Sequence, residues 1–99
     1  MQGIGPADEW GGAMEIRQLK TLITVAEKLS FTRAAETLHL AQSSVSAQIK
    51  SLEQELDLKV FDRIGRRVQL TDAGRKLVAY ARKMDEMTRE IKSELSADQ

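Results

Sequence analysis

The chain is predicted to be mainly α-helical with one very small β hairpin. Three observations carry that prediction. Apolar residues recur at spacings of three and four in four separate segments, the period of helices with one buried face. Between the third and fourth segments, Val60-Phe61 and Val68-Gln69-Leu70 read as two very short strands about a glycine-bearing turn. The last periodic segment is far longer than the others and ends the chain.

Composition bounds what such a chain can do. Ninety-nine residues suffice for one small domain with a modest core. Fifteen basic and fifteen acidic residues cancel, but unevenly. Met14 to Lys76 holds 11 Lys/Arg against 8 Asp/Glu, a balance of +3, and the remainder holds 4 against 7, a balance of −3. A balance of +3 is modest for a nucleic-acid binder. The absence of cysteine excludes disulfides and thiolate chemistry. With His39 as the only histidine, a metal site lacks partners, and a turn or packing role is expected for it. No glycine-rich phosphate loop or paired carboxylates occur; Glu53 and Glu55, two apart on a helix, point to different faces. An enzyme, a metal and a cofactor are therefore not expected. No apolar run approaches membrane-spanning length, and the N-terminus lacks the order of a signal peptide, so a cytoplasmic location is expected.

Met1 to Ala13 stands apart, with four of the six glycines, the only proline and the only tryptophan. It lacks periodicity and is read as a vector-derived leader or a disordered natural extension, outside the fold. Ile16 to Leu29 forms the first helix, with Ile16, Leu19, Ile23 and Ala26 in a stripe that Leu22, Val25 and Leu29 widen. Ser30 or Thr32 can cap a short second helix, Phe31 to Leu38, whose apolar side is Phe31, Ala34, Ala35 and Leu38. The two alanines allow another helix close approach. His39-Leu40 then turns tightly into a third helix, Ala41 to Leu56, with Val45, Ile49, Leu52 and Leu56 as its narrow stripe.

The opposite face of that third helix carries Gln42, Ser43, Ser46, Ala47 and Lys50, and no acid occurs between Glu36 and Glu53. Short hydrogen-bonding groups with one cation and no carboxylate suit an anionic partner, and DNA is the obvious one. An ordinary solvated face has the same pattern, so the neighbouring segments decide. The two helices before and at this point follow the helix-turn-helix plan. Three arginines in five residues, Arg63, Arg66 and Arg67, sit at the hairpin tip as a wing would, able to enter a minor groove or clamp phosphates. Thr71 caps the last helix, which runs to about Leu95 with Asp72 in its first turn. Leu77, Ala81, Met84, Thr88, Ile91 and Leu95 follow a coiled-coil-like spacing, flanked by Tyr80 and Met87. A second copy of the chain is the best-supported partner for this seam; the alternative is that it folds back on the chain's own core.

The segments MEIRQLKTLITVAE, SFTRAAETLHLAQSSVSAQIKSLEQEL and LKVFDRIGRRVQLTDAGRKL together resemble the N-terminal DNA-binding domain and linker helix of LysR-type transcriptional regulators. The likeness spans Met14 to roughly Leu95. It implies a winged helix-turn-helix over 14–70, of three helices and a two-stranded wing, followed by a linker and dimerisation helix over 71–99. It implies that Gln42, Ser43, Ser44, Ser46 and Ala47 occupy major-groove-reading positions, with Gln48 and Lys50 close to base edges or backbone. Thr32 and Arg33 fall where family members touch phosphates, and Arg63, Arg66 and Arg67 fall in the wing. Family members bind double-stranded DNA as homodimers on interrupted palindromes. They carry a larger C-terminal domain for a small-molecule inducer, so this chain looks like the DNA-binding half, without an inducer response of its own. Three residues depart from the family's pattern: Ala47 stands for a longer, often basic side chain, Ala41 for a Ser or Thr cap, and Asp57 for a glycine. A module for dimerisation and protein docking that does not bind DNA is the alternative function, and the near-zero net charge is its support.

Overall fold

In the computed structural model, residues 14–65 and 67–97 are described; the 1–13 segment, Arg66 and the last two residues lie outside them. Four helices and two strands follow the expected order with small shifts at their ends. Helix α1 spans Ile16–Lys28, α2 Phe31–Leu38 and α3 Gln42–Leu56. The hairpin is β1, Phe61–Ile64, and β2, Arg67–Leu70, and α4 runs from Asp72 to Ala97. The strands pair antiparallel from Phe61↔Leu70 to Ile64↔Arg67. The turn is therefore tighter than the sequence suggests: only Gly65, at φ 64°, and Arg66 separate the paired residues. Glycine adopts that backbone without penalty, which is what permits the short connection.

The helix boundaries have local causes. The Glu15 backbone N–H donates to Gln18 Oε1 at 2.9 Å, closing the start of α1. Ser30, and not Thr32, caps α2: its Oγ accepts from the Arg33 N–H at 3.1 Å. The first three helices all end on a non-glycine residue in the left-handed region, at Leu29, His39 and Asp57. At two of them the following residue reaches back, Leu40 N–H to the Ala35 carbonyl at 2.9 Å and Leu58 N–H to the Glu53 carbonyl at 3.1 Å, which satisfies otherwise free carbonyls. His39 is thus a helix terminator on the exposed surface.

The core gathers Leu19, Leu22 and Val25 of α1, Phe31, Ala34 and Ala35 of α2, Val45, Ile49 and Leu52 of α3, Val60 and Phe61 at the wing's base, and Val78 and Ala81 of α4. The apolar sides expected for α2 and α3 are those that face inward. In α1 the stripe is narrower than expected. Ile16 and Leu29, at its two ends, are about half exposed, 52% and 50%. Thr21 takes the place beside Leu22 and is 2% exposed.

Helix α4 divides along its length. Gly74, Val78 and Ala81 are buried, and Leu77 is packed at the edge of the core. Ala81, expected in a seam between copies, is 1% exposed because α1 lies across it. Thr88 is half-buried, its hydroxyl donating to the Asp85 carbonyl at 2.7 Å. The exposed apolar stripe is therefore Tyr80, Met84, Met87, Ile91 and Leu95. An ion pair between Arg82 and Glu27, 3.3 Å apart, fastens the side of α4 to α1.

Candidate nucleic-acid interface

The outer surface of α3 begins without a side-chain cap. Ala41 has no hydroxyl to offer, so the N–H groups of Gln42 and Ser43 have no acceptor among the described residues, while Ser44 and Val45 donate to the Ala41 carbonyl. Free amides and the positive end of the helix dipole make this terminus attractive to an anion. Gln42, Ser43, Ser44, Ala47 and Lys50 are exposed; Ser46 and Gln48 are half-buried. The helix is held from behind by Val45, Ile49 and Leu52, all essentially buried. The polar set expected to face a partner is thus presented on one rigid helix, with the exception of Gln48. Its Oε1 is engaged by the hydroxyl of Thr21 on α1 at 2.6 Å.

Three parts of the chain that are distant in sequence meet beside this helix. A cleft between the start of α2, the start of α3 and the wing is lined by Ser30, Thr32, Gln42, Arg63, Gly65 and Arg67. Thr32, Gln42, Arg63 and Arg67, singled out separately in the sequence, therefore face one space. Arg33 is exposed one position beyond Thr32, on the same short helix. Arg66 lies outside the described residues. Arg63 is not at the tip but on β1. Its guanidinium carbon sits 4.6 Å from the centroid of the Phe31 ring. That ring meets Phe61 edge-on, with centroids 5.8 Å apart and planes at 70°.

On the other side of Arg63 a broader groove separates α3 from β1. Glu53, Asp57 and Asp62 line it together with Lys50, Lys59 and Arg63. The mixed charges make it a poor seat for a phosphate, and the acids at the C-terminal half of α3 confine favourable potential to its N-terminal half.

Two residues within the family-like segments position the interface through contacts that the sequence did not predict. Glu53 Oε2 accepts from the N–H groups of Val60, at 2.8 Å, and Phe61, at 3.3 Å, and so ties the base of the wing to α3. Gly74 lets α4 pass directly against the Val60 carbonyl oxygen; a Cβ there would overlap that oxygen and press on Leu70 Cδ2 at 3.0 Å. Thr71 completes the junction, accepting from the Gly74 N–H at 2.9 Å while its hydroxyl donates to the Lys59 carbonyl at 2.6 Å. Neither contact follows from spacing, since each joins elements whose relative placement is tertiary.

These features define a winged helix-turn-helix domain with a long helix extending from the wing. The model of the family described as bacterial regulatory helix-turn-helix proteins, lysR family, matches residues 16–75, and the chain belongs to that family. It is 49% identical over 79 residues to an uncharacterized HTH-type transcriptional regulator, YwqM, of Bacillus subtilis, covering 80% of this chain and 27% of that protein. It is 43% identical over 84 residues to the RuBisCO operon transcriptional regulator of Allochromatium vinosum, covering 85% and 28%. The chain thus spans about a quarter of the length of these relatives, which are regulators and not enzymes. Among solved structures, the DNA-binding domain of BenM in complex with benA site 1 DNA matches with a TM-score of 0.83 and 35% identity over 87% of this chain and 100% of that one. The complex of the CbnR DNA-binding domain with DNA matches with a TM-score of 0.79 and 34% identity, covering 87% and 100%.

Proposed function

We propose that this chain is the sequence-specific DNA-binding domain of a bacterial LysR-type transcriptional regulator. The observation that carries this reading is the single cleft lined by Thr32, Gln42, Arg63 and Arg67 beside the uncapped start of α3. A DNA strand laid there meets hydroxyl, amide and guanidinium donors with no carboxylate among them. The free amides of Gln42 and Ser43, with Thr32, Arg33 and the wing arginines, fix the backbone. Gln42 pairs with a base edge through its amide, and Ser43, Ser44 and Ser46 serve either donor or acceptor edges from the same helix. Ala47 brings a methyl group where a charge would otherwise stand, so charge recognition falls to the wing and to Lys50. Two DNA complexes among the solved relatives, those of the BenM and CbnR DNA-binding domains, support this reading, since the match covers the whole of the protein chain in each.

The exposed stripe of Tyr80, Met84, Met87, Ile91 and Leu95 takes a second copy, giving a homodimer on an interrupted palindrome. In a full-length regulator of this kind, a small-molecule inducer acts through a C-terminal domain, and the protein works in the cytoplasm. No helix among the described residues is long and apolar enough to cross a membrane. Fluorescence anisotropy on labelled duplex DNA across a salt series tests the central claim. Affinity is expected to fall steeply with salt, as counterions are released from several phosphates. Affinity that is absent, or indifferent to salt, would overturn it.

A further inference from the structure

The flank of α4 that faces α1 continues past the end of that helix. Ala81 and Asp85 border a groove whose other walls are Ile16, Leu19 and Ile23 of α1 and Met84 of α4. Thr88 and Leu95 follow Ala81 at intervals of seven residues, and Lys92 follows Asp85 at the same interval. Seven residues are about two turns, and Asp85 lies one turn from Ala81, so these five positions share one flank. Its first part is covered: Ala81 is buried and Thr88 half-buried. Its last part is bare, with Leu95 62% exposed and Lys92 exposed. The groove itself carries an unmet acceptor. Asp85 Oδ2 pairs with Arg89 at 2.9 Å, but Oδ1 is buried and has no hydrogen-bond partner, the one such side-chain atom found among the described residues. Lys20 lines the same groove without bonding to it. A buried carboxylate oxygen without a donor is costly, so whatever closes this groove has to bring one.

We propose that the groove is closed by the bare end of α4 from a second copy, with Leu95 seated among the apolar side chains and Lys92 donating to Asp85 Oδ1. The proposal rests on the reading above that α4 joins two copies, and it names the contact that sets their direction and register. A two-fold axis across two antiparallel helices turns the same flank of each toward the other, so the bare end of each copy lies over the groove of its partner. In a parallel pair opposite flanks meet, and Leu95 would face the side of the helix that carries Lys83 and Glu90. In the antiparallel pair, with Leu95 opposite Ala81, three residues back along one helix match three forward along the other. Lys92 then falls opposite Met84, beside Asp85. By symmetry the ion pair forms twice in each dimer. An apolar helix of another protein lacks the ammonium group at that place and would leave Oδ1 unpartnered, so the contact selects this chain's own helix.

Sedimentation equilibrium on the native chain, on Lys92→Glu and on Lys92→Glu combined with Asp85→Asn tests this. Lys92 is exposed, so its replacement leaves the fold of each copy in place. Lys92→Glu sets carboxylate against carboxylate and should raise the dimer dissociation constant by roughly tenfold or more. Asp85→Asn is isosteric and offers an NH2 group to the new carboxylate, so adding it should recover most of that loss. A dimer as tight with Lys92→Glu as without it would overturn this assignment alone, and so would a loss that Asp85→Asn does not recover. A native chain that sediments as a monomer throughout would overturn the joining of copies by α4 and this assignment with it.

Discussion

The guanidinium carbon of Arg63 sits over the ring of Phe31, 4.6 Å from its centroid, although the two residues belong to the wing and to the second helix. The ring removes rotamers that a free arginine would have to give up on meeting a phosphate, so the entropy of ordering is met during folding. Arg63→Ala is expected to weaken binding to every duplex and to lower the slope of log affinity against log salt by about one. Folding stability should change by only about 0.5–1 kcal/mol, because the side chain is exposed. An anisotropy series with an unaltered slope would show that Arg63 does not touch the backbone.

Gly74→Ala is expected to destabilise the fold by about 2 kcal/mol, since the added methyl would drive α4 away from the Val60 carbonyl. For a domain of this size that corresponds to a fall in melting temperature of about 10 °C. A thermal transition within a degree or two of the native one would mean that the junction yields without strain.

Asp57→Gly is expected to stabilise the protein by about 0.5–1 kcal/mol. Asp57 ends α3 at φ 55°, where a Cβ is unfavourable and glycine is not. The residue is exposed, so little packing is lost with the side chain. A urea midpoint that fails to rise would show that contacts of the aspartate offset its backbone strain.

Ile91→Asp is expected to convert a dimer into a monomer at micromolar concentration while leaving the winged helix folded. Ile91 is 56% exposed and belongs to the stripe that a second copy would cover, and a carboxylate there could not be buried without a partner. Sedimentation velocity reads the change directly. Unchanged sedimentation would place the contact between copies elsewhere on the chain.

Much of the fold was legible because its elements are amphipathic and short. Val45, Ile49 and Leu52 face the core at the spacing that predicted them, and Ser30 and Thr71 cap the helices they precede. The wing's boundaries shifted because pairing of Ile64 with Arg67 depends on a glycine turn, not on apolar alternation; Ile64 is 60% exposed despite its strand position. The register of α4 was only half legible. Two stripes run along it, one toward its own core through Val78 and Ala81 and one outward through Met84, Met87 and Ile91, and periodicity cannot say which partner each one meets. The meeting of Thr32, Gln42, Arg63 and Arg67 in one cleft was not legible at all, because it depends on how the hairpin packs against the first turn of α2.

The burial of Gly74, Val78 and Ala81 makes α4 a shaft with no joint between the reading head and the outward stripe. Each residue of that shaft turns its far end by about 100° and advances it about 1.5 Å. In a pair of chains held by the stripe, the angle and distance between the two reading heads are therefore written into the count of residues between Ala81 and Ile91. Inserting or deleting a single residue there would rotate one half-site out of phase with the other around the DNA axis, so the spacing of the operator is a property of helix length as much as of any side chain that touches a base.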